Sequence, residues 1–187
     1  MSVGILLVDP QLDFFPGGAL GVNEGEQIVG PINQLLRQHP EAPLFASRDW
    51  HPASTRHFSA QGGKWPPHCV QGTPGARFHA GLELGRAEVF DKGTNPEDDA
   101  GYSAFEGRSG ARGGRTLMDA LQERGVDALI VAGLATDYCV KASVLDARQR
   151  GLVTFLFLPG VRAVELKEGD GARAIEEMRA AGALLVS

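Results

Sequence analysis

The sequence has few cysteines, few aromatic residues and no excess of positive charge. Its 187 residues include two cysteines, Cys69 and Cys139, and aromatic residues make up 7% of the chain. Without an export signal, two cysteines predict reduced thiols rather than a disulfide, which indicates a cytoplasmic protein. The formal net charge is -5 and no basic stripe is visible. This charge pattern argues against a nucleic-acid partner.

Long apolar runs are also missing. The first apolar run, residues 4–8, ends at Asp9 and is too short for a signal peptide or a membrane span. We therefore expect a buried strand at this position and no membrane partner. A chain of 187 residues fits a single domain over residues 1–187. The composition leaves open whether the protein is a monomer or a small homo-oligomer.

Short apolar runs alternate with amphipathic segments along most of the chain. The predicted strands are residues 4–8, 44–47, 88–90, 128–134, 153–158 and 184–186. The predicted helices are residues 26–38, 116–124, 137–150 and 168–181. Strands separated by helices predict an α/β fold, with a parallel sheet covered by helices on both faces. Two long irregular segments, residues 52–85 and 93–114, are typical of functional loops.

Chemically competent side chains follow four of the predicted strands. Asp9 follows the first strand, Asp49 and His51 follow the second, Lys92 the third and Cys139 the fourth. Ligands of open parallel sheets bind beyond the carboxyl ends of the strands. We therefore expect these side chains to share one functional site. Reactive side chains after all four of these strands are unlikely to arise by chance.

Cys139 is the candidate nucleophile. It is predicted to lie in the first turn of a helix, where backbone amides lower the pKa of a thiol. The backbone N–H groups of Ala135 and Cys139 could hold an oxyanion. Asp9 could accept the thiol proton and pass it to a leaving amine, while Lys92 could stabilise the thiolate. Taken alone, Cys139 could equally be a packing residue, and Cys69 is interpreted as one.

The first long loop contains a candidate metal site. Asp49, His51 and His57 lie within nine residues of one another, and His68 follows. One carboxylate with several imidazoles suits zinc, iron or manganese. The spacing is not that of a zinc finger. The sequence therefore predicts one divalent metal ion and no organic cofactor.

Several segments together resemble the nicotinamidase (pyrazinamidase) branch of the isochorismatase-like cysteine hydrolases. They occur in order at residues 8–14 (VDPQLDF), 49–52 (DWHP) with His57, 65–76 (WPPHCVQGTPGA), 92–93 (KG), 102–105 (YSAF) and 133–140 (GLATDYCV). The tryptophan–histidine–cysteine segment and the segment around Cys139 are highly specific. Together the matching elements span nearly the whole chain.

The resemblance implies a fold and a catalytic triad. The implied fold has three layers, α/β/α, around a six-stranded parallel sheet. The implied triad is Asp9, Lys92 and Cys139. A cis peptide bond between Leu134 and Ala135 is also implied, and it would aim the oxyanion donors. The family reaction is hydrolysis of nicotinamide, and by extension pyrazinamide, to the acid and ammonia through a thioester acyl-enzyme.

The resemblance also implies how metal and substrate bind. The implied metal ligands are Asp49, His51, His57 and His68. The expected partner is a small aromatic amide, whose ring would be sandwiched by Phe14, Trp65 and Tyr102. Offset stacking of this kind is worth about 0.5–1.5 kcal/mol beyond the burial of area.

Four other interpretations remain open from the sequence. A sister cysteine hydrolase could act on a carbamoyl or ureido amide, although such relatives need not carry the metal histidines. The isochorismatase branch cleaves a vinyl ether and does not require Cys139. A metal ion could instead activate water directly, in which case a Cys139→Ser variant would retain activity. A metal-binding or thiol-sensing module without enzymatic activity would turn over no aromatic amide.

Overall fold

A single sheet forms the centre of the protein. The structure, a computed structural model, describes residues 1–97, 101–110 and 114–187. The strands in this part of the chain are β1 (Val3–Val8), β2 (Leu44–Asp49), β3 (Glu88–Lys92), β4 (Arg108–Ser109), β5 (Ala128–Leu134), β6 (Val153–Arg162) and β7 (Leu184–Val186). Their order across the sheet is β4-β3-β2-β1-β5-β6-β7. All neighbouring strands are parallel except β3 and β4, which are antiparallel.

The predicted α/β fold with a parallel sheet is confirmed, but the predicted count of six strands is wrong. Each predicted strand overlaps one of the six parallel strands, and β4 is the additional, seventh strand of the described residues. It contains two residues, which pair with Phe90 and Asp91 of β3. A strand this short has no alternation that periodicity could detect. Its position is decided by pairing with a partner already in the sheet.

Helices cover both faces of the sheet. They are α1 (Val29–Gln38), α2 (Leu117–Glu123), α3 (Lys141–Gln149) and α4 (Asp170–Ala180). The side chains of β1 alternate between the two cores. Ile5 packs with residues of α1, whereas Leu6 packs with residues of α2, α3 and α4, and both side chains are fully buried. Burial on both faces explains why β1 is a continuous apolar run.

The helix predictions agree in position but not in every boundary. The predicted helix 137–150 is divided, because residues Thr136–Val140 form a π-helical turn and α3 begins only at Lys141. The predicted helix 26–38 likewise begins as a 3-10 segment, Gly25–Ile28, before α1. None of the helices in the described part of the chain is long and apolar enough to cross a bilayer.

Candidate active site

The carboxyl ends of the strands bring three candidate catalytic side chains together. Asp9 follows β1, Lys92 ends β3, and Cys139 lies in the π-helical turn after β5. The Nζ atom of Lys92 lies 2.9 Å from Oδ2 of Asp9 and 3.5 Å from Sγ of Cys139. Potential ligand atoms of Asp9, Asp49 and Cys139 all lie within 4.8 Å of one another. Side chains that are up to 130 residues apart in sequence therefore share one small volume.

Lys92 is a buried ammonium with several partners. Its exposed fraction is 1%. Besides its contact with Asp9, it donates hydrogen bonds to Oδ1 of Asp49 at 2.5 Å and to the carbonyl oxygen of Gly101 at 2.6 Å. Burial lowers the pKa of Lys92, but the carboxylates of Asp49 and Asp9 outweigh burial and hold that pKa well above its usual value. The side chain therefore keeps its positive charge beside the sulfur.

Asp9 is the candidate base. Its side chain is fully buried, and Ser47 Oγ donates a hydrogen bond to its Oδ1 at 2.7 Å. Burial raises the pKa of Asp9, although the nearby charge of Lys92 opposes the rise. A carboxylate oxygen of Asp9 lies within 4.8 Å of the Cys139 sulfur. A carboxylate of raised basicity beside the thiol is suited to accept its proton. The sequence did not single out Ser47, which lies inside a strand without any site-like pattern.

The environment of the Cys139 thiol differs from the prediction. A position in the first turn of a helix predicted a lowered pKa. In the structure, burial raises the pKa of the thiol well above its usual value, and the adjacent charge of Lys92 opposes this only in part. Cys139 does lie in the first helical turn after β5, because the turn Thr136–Val140 continues directly into α3. It is only 6% exposed, and this burial explains the raised pKa. The resting thiol therefore keeps its proton until a base removes it.

The predicted metal ligands lie together on the other side of Asp49. One ring nitrogen from each of His51, His57 and His68 lies within 4.8 Å of the others. Oδ2 of Asp49 is 3.5 Å from Nε2 of His51 and 3.8 Å from Nε2 of His68. All four side chains are buried. Asp49 thus joins the two clusters, because its Oδ1 faces Lys92 and its Oδ2 faces the imidazoles.

The protonation of two imidazoles fits a metal site. Nδ1 of His51 lies 3.0 Å from the carbonyl oxygen of Gly93, and Nδ1 of His68 lies 2.7 Å from that of Pro66. A carbonyl can only accept, so each Nδ1 carries a proton and Nε2 is the ring atom left to bind a metal. Among the described residues, the buried Nε2 of His51 has no hydrogen-bond partner. Burial lowers the pKa of His68 to about 4, which keeps its ring neutral. Histidine ligands of metals commonly show this arrangement.

Gln11 holds the backbone of Asp49 in place. Its Nε2 donates to the carbonyl oxygen of Asp49 at 2.7 Å, and its Oε1 accepts from the N–H of Asp49 at the same distance. Nε2 also donates to the carbonyl oxygen of Ala76 at 3.0 Å, and the side chain is fully buried. The sequence did not predict this role. The available signals were the position of Gln11 two residues after Asp9 and its place in the segment 8–14 (VDPQLDF).

A small pocket, with a cavity volume of about 30 Å³, opens beside the sulfur. Cys139 and Ala135 line it, as do the three aromatic residues predicted to contact a ring, Phe14, Trp65 and Tyr102. The Nε1–H of Trp65 donates to the hydroxyl of Tyr102 at 2.9 Å, which joins the two long loops. The peptide bond between Leu134 and Ala135 is cis. The aromatic lining suits a flat ligand.

Three further pocket residues were not predicted. They are Leu20, Tyr138 and Val164. Tyr138 is adjacent to Cys139 in the sequence, so its place next to the candidate nucleophile was an available signal. Val164 follows β6, and its N–H donates to Oδ1 of Asp137 at 2.9 Å. Neither Leu20 nor Val164 belongs to a recognisable pattern, because only folding brings their segments to the pocket.

Comparisons with known proteins find similar sequences and similar structures. A family model described as the Isochorismatase domain matches residues 3–187. Nicotinamidase from Escherichia coli (strain K12) is 44% identical over 199 aligned residues, which cover 97% of this chain and 92% of that protein. A crystal structure of pyrazinamidase of Pyrococcus horikoshii in complex with zinc is similar, with a TM-score of 0.89, 39% identity and coverage of 100% and 99% of the two chains. PnC1 from L. infantum, in complex with nicotinate, gives a TM-score of 0.89 at 36% identity, covering 100% of this chain and 92% of that chain.

Proposed function

Because this chain belongs to the isochorismatase family, we propose that it is a nicotinamidase. The proposed reaction converts nicotinamide, and also pyrazinamide, to the carboxylic acid and ammonia through a thioester on Cys139. The observation that carries the proposal is the contact of one buried sulfur with a carboxylate and an ammonium at the edge of an aromatic pocket. Cys139 Sγ lies 3.5 Å from Lys92 Nζ, which in turn lies 2.9 Å from Asp9.

The proposed acylation begins with transfer of the thiol proton to Asp9. The Cys139 sulfur then attacks the carboxamide carbon, and the charge of Lys92 stabilises the sulfur anion before attack. Asp9 passes its proton to the amide nitrogen, so the C–N bond breaks and ammonia leaves. The closeness of Asp9, Lys92 and Cys139 supports these steps, and the raised pKa values of the thiol and of Asp9 are consistent with a proton transfer between them.

The proposed deacylation uses the same groups in reverse. Asp9 accepts a proton from a water molecule, and the oxygen of that water attacks the thioester carbon. The C–S bond breaks, the acid leaves, and Cys139 regains a proton from Asp9. In both halves of the reaction the backbone N–H groups of Ala135 and Cys139 are the proposed donors to the oxyanion. Both residues line the pocket.

The proposed metal ligands are Asp49, His51, His57 and His68. Bound there, a zinc, iron or manganese ion would supply a Lewis acid for the ring nitrogen of a pyridine or pyrazine. The neutral ring of His68 supports this assignment, as do the Nδ1 atoms of His51 and His68, which are both directed to carbonyl oxygens. Phe14, Trp65 and Tyr102 are proposed to contact the faces and edge of the ring.

An ammonia-release assay over a panel of amides tests the proposed function. We expect nicotinamide and pyrazinamide to be hydrolysed, and benzamide, which lacks the ring nitrogen, to have a kcat/KM lower by roughly tenfold or more. Treatment with a chelator should raise KM for nicotinamide, and added zinc, iron or manganese should reverse the effect. Faster turnover of a ureido compound than of nicotinamide would instead identify a sister hydrolase. Absence of metal from protein purified without a chelator would contradict the metal assignment.

Gln11 provides a separate test of the metal site. Replacing Gln11 with Leu removes both hydrogen bonds to the backbone of Asp49, so this ligand should lose its fixed position. We expect divalent-metal affinity to fall about 10- to 100-fold, the usual cost of losing an outer partner of a metal ligand. Affinity is measured by competition with a chromogenic chelator.

The matched control is Gln71→Leu. Gln71 is exposed, and its Nε2 donates to the carbonyl oxygen of Trp50 at 2.9 Å, one residue from Asp49. This variant should bind metal as the parent does. Equal metal affinity of the Gln11→Leu variant and the parent would show that Asp49 needs no such support.

A further inference from the structure

One wall of the pocket is built from two segments that meet at an aromatic seam. Trp65 comes from the first long loop, and Tyr138 from the π-helical turn next to Cys139. Their ring centroids lie 4.9 Å apart, and the rings meet edge to face at 83°. Both residues line the pocket. The relative position of the two rings therefore sets the width available to a flat ligand.

Lys64 lies on the solvent side of the contact between Trp65 and Tyr138. Its Nζ donates a hydrogen bond to the hydroxyl of Tyr138 at 2.8 Å. The same nitrogen lies 4.6 Å from the centroid of the Trp65 ring and 4.8 Å from that of Tyr138. An ammonium within about 6 Å of an aromatic centroid is attracted to the ring. Lys64 thus contacts both members of the wall at once, while its side chain remains exposed to solvent.

The backbone around Lys64 is tied to the candidate metal site. The N–H of Trp65 donates to the carbonyl oxygen of His57 at 3.3 Å, and the N–H of Ser59 donates to the carbonyl oxygen of Trp65 at 2.7 Å. A Cβ on Gly63 would lie 2.3 Å from the same His57 oxygen, so glycine permits this close turn. The loop is therefore anchored at its base. At its tip, Lys64 and Trp65 both contact Tyr138 on the other side of the pocket.

We propose that Lys64 is a positioning residue, whose ammonium clamps Trp65 against Tyr138 and thereby sets the affinity of the pocket for an aromatic ring. This inference rests on the proposed function, because it assumes that the ring of an aromatic amide occupies the pocket. Lys64 does not line the pocket and takes no part in the proposed bond making or breaking. Lys64 should therefore affect substrate affinity only by holding the rings of Trp65 and Tyr138 in position.

A positioning role predicts a change in KM without a matching change in kcat. In Lys64→Met, which keeps most of the alkyl chain but removes the charge and the donor, KM for nicotinamide should rise about fivefold. The dissociation constant of nicotinate, measured by calorimetry on the metal-loaded enzyme, should rise by a similar factor. We expect kcat to stay within about twofold of the parent, since Asp9, Lys92 and Cys139 are untouched.

Two further variants test whether Lys64 acts through the rings. Lys64→Arg keeps a cation and a donor, so its KM should stay within about twofold of the parent. In a Tyr138→Phe background the hydrogen bond is already absent, so Lys64→Met should raise KM only about twofold. The matched control is Lys167→Met, the same substitution at another exposed lysine, which should leave KM unchanged.

The results separate failure of this inference from failure of the proposed function. If the unmodified enzyme releases no ammonia from nicotinamide, the proposed function is wrong. If the enzyme is active but Lys64→Met has the KM and nicotinate affinity of the parent, Lys64 does not position the wall. An additive effect of Lys64→Met and Tyr138→Phe, or a loss confined to kcat, would also overturn the inference.

Discussion

Replacement of Cys139 by Ala is expected to lower kcat/KM for nicotinamide by about 10⁴-fold or more, the usual cost of removing a nucleophile. The reason is that the Cys139 sulfur is the one that contacts Lys92 Nζ and lines the pocket. Cys69, the other cysteine, is fully buried and is not among the residues that line the pocket. Ammonia release and acyl-enzyme trapping, followed by mass spectrometry, measure the effect.

The fold should survive this substitution. Cys139 loses only one sulfur atom from a core position, which costs about 1 kcal/mol or less of unfolding free energy on the scale of single buried groups. Urea unfolding of the Cys139→Ala variant checks this expectation. The matched control is Cys69→Ala, the same change at the other cysteine, which should retain ammonia release.

The Cys139→Ser variant separates two mechanisms. A serine hydroxyl is a much weaker nucleophile than a thiol beside the same carboxylate, so covalent catalysis predicts a loss close to that of the alanine variant. If a metal ion activated water directly, the serine variant would keep substantial activity. Retention of activity by Cys139→Ser would therefore remove the thioester from the proposed mechanism.

Replacement of Lys92 by Met should abolish activity and also destabilise the fold. Lys92 is fully buried between Asp9 and Asp49, with side-chain exposure of 0%, 0% and 5% for the three residues. Removing the ammonium leaves two carboxylates buried without their cation, which costs roughly 3–5 kcal/mol of unfolding free energy. Urea unfolding at pH 7 and the rate of ammonia release measure the two effects.

The loss of unfolding free energy in Lys92→Met should depend on pH in a predictable direction. In the parent the pKa of Lys92 is raised, so its contribution to stability is complete below the unfolded value of about 10.4 and is lost only as pH rises through the folded value. In Lys92→Met the pKa of Asp9 should rise further, because burial already raises it and the opposing charge is gone. Protonation of Asp9 then relieves the uncompensated charge. The stability difference between parent and variant should therefore shrink as pH falls from 7 towards 5.

Lys141→Met is the control for this variant. Lys141 pairs with Glu177 at 3.0 Å, and its side chain is 29% exposed. A solvent-screened pair of this kind contributes about 1 kcal/mol or less. If Lys92→Met unfolded at the same urea concentration as the parent, the buried ion cluster would contribute nothing to stability.

Much of the sheet could be predicted because its strands carry a local signal. Strands that are buried on both faces require continuous apolar runs, and β1 and β5 are such runs. Asp9 directly follows β1, and the segment that leads to Cys139 directly follows β5. Parallel strands then bring these ends to one edge. The closeness of Asp9, Lys92 and Cys139 was therefore predictable, although their catalytic roles remain predictions.

Other features depend on contacts between distant segments. The hydrogen bonds of Gln11 to Asp49 and of Ser47 to Asp9 each join residues 38 positions apart. Val164 reaches the pocket from the segment after β6. No local periodicity reports on such contacts, because each is made only when the strands are already aligned.

The sequence by itself determined the α/β class, the six parallel strands and the edge at which the polar side chains meet. Hydrophobic periodicity encodes these features, because burial of each strand is a local requirement on residue type. Only the tertiary structure decided the edge strand β4, the aromatic seam under Lys64 and the protonated state of the Cys139 thiol. The pKa of that thiol depends on how completely the folded chain excludes water from it, and this exclusion is a property of all the surrounding segments together.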